Sequence, residues 1–278
     1  MRRQLLSAAA GLLLAAASAL TASAPADASV PAQTNVPVTF EGTVTTYGCS
    51  GSLVRFATSA PDDPALVLTN GHCMELGMAP GQVVVNRSSG KQFELLNASG
   101  SRVGTLQSTK AVYGTMTKTD VAIYEVNLTY AQTKYFYGVN PLVMSSVHPN
   151  AGASIKVVSG YWRTSYSCNI DGFVNQLREG NYVWLDSVRY TSGCNVTGGT
   201  SGSPVIDTST GQVVAVNNTG NEKGESCTLN NPCEVDADGE VTVRKGTNYA
   251  QETYYIPVCF GPGSRLDLSR TGCGLPRP

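Results

Sequence analysis

The sequence predicts an all-β protein with two hydrophobic cores. Its 278 residues include 29 glycines and 13 tyrosines, and this composition, with many valines and threonines, favours short strands and tight turns. No segment sustains apolar residues at i, i+3, i+4 and i+7 over three turns, and no solenoid-type repeat is present. About 250 residues remain after an expected leader, which fits one all-β unit with two cores.

Short β-type runs separated by turn residues predict the individual strands. In the first half of the chain the runs are 38–47, 51–57, 65–69, 82–85, 94–96, 101–108 and 120–126. In the second half they are 154–159, 162–167, 182–190, 203–207, 212–216 and 248–257. Residues 140–152 contain two prolines and a glycine and predict a crossover linker. We therefore expect one domain over 37–145 and a second, with a C-terminal tail, over 146–278.

The first residues have the pattern of a secretory signal peptide. Arg2 and Arg3 precede an Ala/Leu-rich run and two A-x-A cleavage patterns, at 22–24 and 26–28. We expect a signal peptide over 1–24 and a poorly ordered leader or pro-segment over 25–36. A membrane anchor is the disfavoured alternative, because the run is rich in small residues and nothing later is long and apolar enough to span a bilayer. The mature protein should be secreted.

The bulk chemistry excludes several kinds of partner. The formal net charge is -1 and 14% of the residues are charged, so there is no electrostatic footprint for nucleic acid or an anionic membrane surface. The eight cysteines of an exported chain, none in C-x-x-C spacing, indicate disulfides rather than metal. Residues 220–243 form an acidic loop or hairpin, which we interpret as a solvated excursion. A calcium loop is the alternative, but 236–240 is too short for EF-hand spacing.

Three short motifs carry the residues of a nucleophilic site. Ser201 lies between glycines in residues 198–205, a turn that can present a hydroxyl beside free backbone amides. His72 is the candidate base, because an imidazole with a pKa of about 6.5 can take and return the hydroxyl proton. Asp120 begins a strand-like run and can orient the imidazole. The second histidine, His148, lies in the linker, where we expect a surface role.

The order His72, Asp120, Ser201 and the residues around them resemble the chymotrypsin-like serine proteases. Thr-Asn-Gly-His-Cys stands where that family usually has Thr-Ala-Ala-His-Cys, and Asp-Val-Ala-Ile stands where it usually has Asp-Ile-Ala-Leu. Gly-Thr-Ser-Gly-Ser-Pro stands where the family usually has Gly-Asp-Ser-Gly-Gly-Pro. The resemblance covers most of the mature chain. It implies two antiparallel six-stranded β-barrels with an active site at their interface, and a serine endopeptidase that cleaves proteins or peptides without metal or cofactor.

The resemblance also implies a role for each motif residue. Ser201 is the nucleophile, His72 the general base and Asp120 its orienting carboxylate. The backbone amides of Gly199 and Ser201 form the oxyanion hole. Thr200 stands where trypsin-like zymogens have an aspartate that pairs with a new N-terminus, so that switch cannot operate here. The chain is more similar to the bacterial exported branch, which includes glutamyl endopeptidases.

The resemblance also bears on which substrate side chain the protein prefers. The resemblance implies that substrate is bound by Asn195, Asn218, Thr219 and Gly220. A neutral Asn195 at the pocket floor disfavours a preference for Lys or Arg, although Glu222 or Glu225 could reach the pocket. The histidine that glutamyl endopeptidases use on the pocket wall is absent. We therefore expect a medium-sized neutral pocket.

The resemblance implies one disulfide directly, between Cys49 and Cys73. Neighbouring cysteines are expected to form the others, which are Cys168–Cys194, Cys227–Cys233 and Cys259–Cys273, with Cys194–Cys227 as the competing pair. A catalytically silent relative acting as a secreted binding module is the alternative function, but such relatives usually lose a motif residue. A disulfide-stapled β-sandwich adhesin leaves the three motifs unexplained. We expect a monomer.

Overall fold

The computed structural model describes residues 35–75 and 77–278. The expected signal peptide and residues 25–34 of the expected leader lie outside the described residues. The last two leader residues are held against the second half of the chain: the amide of Val36 donates to the carbonyl of Thr208 at 2.7 Å, and the Thr208 hydroxyl donates to Asn35 Oδ1. None of the helices in the described ranges is long and apolar enough to cross a membrane.

The first half of the chain forms a closed antiparallel barrel. Its strands are β1 Thr43–Thr46, β2 Cys49–Arg55, β3 Pro64–Thr69, β4 Val83–Ser88, β5 Gln92–Leu96, β6 Arg102–Thr115, β7 Val121–Thr129 and β8 Leu142–Val143. Six of them pair in the order β1-β5-β6-β7-β3-β2, and pairing of β1 with β2 closes the ring. Strand β4 pairs outside this ring with β6, and β8 runs parallel to β2.

The second half repeats this architecture. Its strands are β9 Ser154–Ser159, β10 Thr164–Glu179, β11 Tyr182–Tyr190, β12 Pro204–Asp207, β13 Val213–Gly220, β14 Cys233–Val235, β15 Val241–Thr242 and β16 Asn248–Glu252. The order β11-β16-β13-β12-β9-β10 is closed by pairing of β10 with β11. A separate hairpin, β17 Phe260–Gly261 with β18 Arg265–Leu266, follows. The predicted pair of antiparallel six-stranded barrels is confirmed.

Inward-facing aliphatic and aromatic side chains fill the core of each barrel. One of these cores continues from the first barrel into the second. Trp184 of β11 is buried in one cluster with Phe93 and Tyr124 of the first barrel. Its indole N–H donates to the carbonyl of Met116 at 3.2 Å. The two barrels are thus held together by buried apolar surface, the largest favourable contribution to folding. The expected boundary between residues 145 and 146 falls between β8 and β9.

Several elements differ from the sequence prediction. Strand β6 runs to Thr115 instead of ending at 108, and β8, β17 and β18 were not predicted. Strand β10 continues to Glu179 because buried Cys168, Ile170, Val174 and Leu177 alternate imperfectly with polar residues, and a bulge after Ile170 shifts the register. The helix α1 Tyr130–Tyr137 was not predicted, since eight residues are too few for the periodicity test. Its local signal is a capping box between Thr129 and Gln132.

All four expected disulfides are formed: Cys49–Cys73, Cys168–Cys194, Cys227–Cys233 and Cys259–Cys273. They exclude the competing Cys194–Cys227 pair. The acidic segment 220–243 contains the β14–β15 hairpin. Asp236 caps its turn by accepting the amides of Asp238 and Glu240, both at 2.9 Å, which is a local structural use of that carboxylate.

Candidate active site

His72 lies in a single turn of 3-10 helix, Gly71–Cys73, directly after β3. Two tethers fix this turn at the rim of the first barrel. The disulfide from Cys73 reaches Cys49 in β2. On the other side, the buried Asn70 side chain donates to the carbonyl of Asp120 at 2.8 Å. The position of the imidazole is therefore set by covalent and hydrogen-bonded neighbours on both sides of it.

Asp120 holds the histidine at two points. Its buried carboxylate, 0% exposed, accepts the backbone amide of His72 on Oδ1 at 3.0 Å and approaches Nδ1 of the imidazole with Oδ2 at 2.7 Å. An ionised carboxylate can only accept, so the Nδ1 atom carries the proton. Nε2 is then the basic nitrogen, and it is available to a hydroxyl in the cleft.

The electrostatics favour the protonated imidazole. Burial of His72 lowers its pKa, but the charge of Asp120, the hydrogen bond from Asp120 and the charge of Glu179 raise it, and the pKa lies above the ordinary 6.5. The side chain remains 32% exposed. The site therefore stabilises the imidazolium that a general base becomes when it takes a proton.

The Ser201 turn is held against β2. The amide of Ser50 donates to the carbonyl of Ser201 at 2.8 Å. Gly202 has a φ of +81°, and a Cβ there would meet the Ser50 carbonyl oxygen at 2.1 Å and Thr69 Oγ1 at 2.3 Å. Only glycine fits this position, because the backbone conformation and the close approach both exclude a side chain.

The amides of Gly199 and Ser201, like that of Gly198, have no protein acceptor in the described ranges. Between them, the amide of Thr200 donates to the carbonyl of Thr197 at 3.0 Å. The indole of Trp162 donates to the carbonyl of Gly198 at 2.7 Å. Because the peptide is planar and trans, this bond aims the Gly199 N–H in the opposite direction. No sequence motif indicated a role for Trp162.

The nucleophile candidate and the base candidate share a cleft without being hydrogen-bonded to each other. Ser201 and His72 both line a cleft of about 600 Å³. In the described chain the Ser201 hydroxyl donates instead to the carbonyl of Asn218, at a long 3.3 Å. Hydrogen bonds of this kind are often long in unliganded sites and tighten when substrate binds.

Residues 49–216 match the family of trypsin-like peptidase domains, and this range includes His72, Asp120 and Ser201. The chain belongs to the trypsin-like peptidase family. Similar solved structures include the active form of a protease from M. tuberculosis, at 18% identity over 86% of this chain and 85% of that chain, with a TM-score of 0.46. The MamO protease domain from Magnetospirillum magneticum is 12% identical over 78% and 94% of the two chains, with a TM-score of 0.47. No curated protein sequence matches the chain.

The cleft of this trypsin-like peptidase contains three of the four expected substrate-binding residues, Asn218, Thr219 and Gly220. Asn195 is not brought to it. The amide of Val196 bonds the carbonyl of Cys194 at 3.0 Å, which makes Asn195 the centre of a three-residue turn. Its side chain is exposed, and Val196 lines the cleft in its place.

Glu179, which no sequence motif indicated, also lines the cleft of the peptidase. It ends β10 and is buried, and its carboxylate accepts the Thr219 hydroxyl and the amide of Asn230. Burial raises its pKa, and the opposing effects of these two bonds and of His72 do not cancel the rise. No local pattern predicts this residue, because the part of β10 that carries it was not predicted as strand.

Proposed function

We propose that this trypsin-like peptidase is a secreted serine endopeptidase that hydrolyses peptide bonds through an acyl-enzyme on Ser201. The observation that carries the proposal is the buried Asp120 carboxylate, bonded to both the amide and Nδ1 of His72 in the cleft that also contains Ser201. This is the arrangement that a proton-shuttling imidazole requires.

The first chemical step is proton transfer from Ser201 to His72. Rotation of the hydroxyl about its Cα–Cβ bond exchanges the long bond to Asn218 for one to Nε2, and a neutral hydrogen bond of this kind is worth only about 1 kcal/mol. The serine oxygen then attacks the substrate carbonyl carbon while Nε2 takes the proton. Asp120 stabilises the imidazolium that forms.

The developing oxyanion would be bound by the amides of Gly199 and Ser201. Removal of one donor of this type costs about 3 kcal/mol of transition-state stabilisation. The C–N bond then breaks, His72 gives its proton to the leaving amine, and the acyl group stays on Ser201. Water then attacks the ester carbonyl while His72 takes its proton. The C–O bond to Ser201 breaks, the carboxylic acid product leaves, and His72 returns the proton to the serine oxygen.

The cleft supports a preference for a medium-sized side chain without charge. Asn218 and Thr219 supply polar wall atoms, and Met116 and Trp184 supply apolar surface. The carboxylate of Glu179 accepts the Thr219 hydroxyl and the Asn230 amide, so two of its acceptor positions hold the wall of the cleft. Hydrolysis of a peptide library by the purified enzyme tests this preference.

Four disulfides support a location outside the cytoplasm, since such bridges persist in oxidising compartments. We propose that the protein acts as a secreted monomer on protein or peptide substrates. Removal of residues 1–24, with trimming of 25–36, would then be its maturation. Mass spectrometry of the protein recovered from the culture medium identifies the mature N-terminus.

Labelling with a fluorophosphonate tests the proposed function. The folded, oxidised protein should react once, at Ser201, and His72→Ala should abolish the reaction. Ser203→Ala is the matched control, because Ser203 is fully buried two residues away, and this variant should still be labelled. If the folded protein does not react, the silent binding module becomes the better assignment.

A further inference from the structure

The second histidine lies in a cluster outside the cleft. His148 belongs to the segment between β8 and β9, Asp186 to β11 and Glu252 to the end of β16. Nε2 of His148 is 3.1 Å from Glu252 Oε1 and 3.6 Å from Asp186 Oδ2. The three donor atoms all lie within 4.8 Å of one another. Three separate elements therefore bring one imidazole and two carboxylates to one point.

Glu252 is the unusual member of this cluster. Its side chain is 0% exposed, and neither carboxylate oxygen has a hydrogen-bond partner in the described part of the chain. An ionised carboxylate out of contact with water is strongly disfavoured unless it is paired or coordinates a metal. The Glu252 carboxylate therefore needs either a positive charge beside it or a bound proton.

The orientation of His148 suits coordination. Its Nδ1 lies 2.7 Å from the carbonyl oxygen of Pro149, which can only accept, so Nδ1 carries a proton. Nε2 faces the carboxylates, but neither approach is a hydrogen bond: the Asp186 distance is too long, and the Glu252 oxygen has no aligned donor. Histidines that bind metal usually donate their other ring N–H to a carbonyl or carboxylate in this way.

The surroundings hold the cluster in place and leave it open to solvent. The rings of Phe173 and Tyr254 pack on the imidazole, with centroids 4.4 and 4.9 Å away. The Tyr254 hydroxyl donates to Asp186 Oδ2 at 3.4 Å. The side chains of His148 and Asp186 are 39% and 45% exposed, so a hydrated ion can reach the buried carboxylate behind them.

We propose that His148, Asp186 and Glu252 bind a divalent transition-metal ion of the zinc class, with water completing its coordination. One imidazole with two carboxylates is a donor set that Zn²⁺ accepts, whereas Ca²⁺ takes six or more oxygens. A tetrahedral ion with bonds of about 2.1 Å holds its donors about 3.4 Å apart. The two separations from Nε2 of His148, 3.1 Å to Glu252 Oε1 and 3.6 Å to Asp186 Oδ2, lie on either side of that distance. The bound ion ties the linker between the barrels to β11 and β16 and stabilises the fold without entering the reaction.

Calorimetric titration of the full oxidised chain, stripped with chelator, with ZnCl₂ tests the proposal. One Zn²⁺ should bind per chain, and the Tm should rise, while Ca²⁺ at the same concentration gives no shift. Asp186→Asn should weaken Zn²⁺ binding at least tenfold. This variant keeps the fold, because Asp186 is part-exposed with a φ of +51°, and asparagine tolerates that backbone conformation well. Glu252→Gln should abolish binding.

His72→Ala is the matched control, because the chain has only two histidines. This variant should still bind one Zn²⁺ with unchanged affinity. Binding that is lost in His72→Ala but kept in Asp186→Asn and Glu252→Gln would place the ion in the cleft and overturn the proposal. Absence of Zn²⁺ binding by the folded wild-type chain would also overturn it and leave the cluster as a proton-sharing ion pair.

Discussion

The two histidines of this protein are each placed beside a buried carboxylate, yet their geometries differ in a way that assigns them different chemistry. His72 directs Nδ1 to Asp120 in an aligned hydrogen bond of 2.7 Å. His148 directs Nδ1 to a backbone carbonyl and leaves Nε2 facing Glu252 and Asp186. The first imidazole has its basic nitrogen free in a cleft. The second presents its nitrogen to a cluster of anions.

The comparison shows that proximity to a carboxylate does not by itself make a histidine a base. The nitrogen that bonds the carboxylate determines which nitrogen remains for chemistry. At His72 that nitrogen shares the cleft with Ser201, whose backbone amide has no protein acceptor in the described ranges. At His148 no such groups are present among the described neighbours, and coordination of a cation is the use that fits.

Asp120→Asn should have the largest effect on turnover, because it removes the carboxylate that distinguishes the His72 site from the His148 site. An amide at this position favours the wrong imidazole tautomer, and turnover should fall by about 10⁴. Peptide hydrolysis under saturating substrate measures the loss. Asp62→Asn, at an exposed carboxylate, should change turnover less than twofold. A similar turnover for Asp120→Asn and the wild type would show that the tautomer is set by something else.

Gly199→Ala tests a second difference between the two histidine sites, the backbone amide of Gly199 in the turn that carries Ser201. The φ of Gly199 is +87°, and a Cβ would meet the Tyr161 ring at 2.8 Å and the Trp162 indole nitrogen at 2.9 Å. The amide should be displaced, and kcat should fall by about 10² to 10³. Gly198→Ala, where a Cβ meets nothing within 4 Å, should lose far less. Circular dichroism confirms that both variants are folded.

The smallest expected effect is a shift in the pH dependence of kcat/KM. His72 must be neutral to accept a proton, so the acid limb of kcat/KM reports its pKa and should lie above 6.5. The negative charge of Glu179 favours the imidazolium. Glu179→Gln should therefore move the limb to lower pH, and Glu222→Gln, a cleft residue that does not raise this pKa, should leave it in place. A limb that moves upward in Glu179→Gln would contradict the electrostatic assignment.

The parts of the site that could be predicted from sequence are those in which neighbouring residues share one turn. His72 with Cys73, and Ser201 with its glycines, carry their structural context within a few positions. Such local patterns also identified the barrel strands 154–159 and 182–190, which the structure reproduces at both ends.

The rest could not be predicted because it is assembled from distant elements. Glu179 reaches the cleft from the end of a long bulged strand, and Trp162 orients a peptide 36 residues further on. Asn195 was assigned by counting from Ser201, and a local turn directs it outward instead. The cluster of His148, Asp186 and Glu252 exists only once β11, β16 and the linker are packed together. His148 alone gave no signal beyond its place in a linker.

Trapping the acyl-enzyme tests the central claim most directly. Mixing the protein with an activated ester at acidic pH, where protonated His72 slows deacylation, should add one acyl group by intact mass. Peptide mapping should place the acyl group on Ser201, and Ser201→Ala should acquire none. Steady hydrolysis of the ester by folded protein without an adduct on Ser201, or an adduct on another residue, would contradict the assignment of Ser201 as the nucleophile.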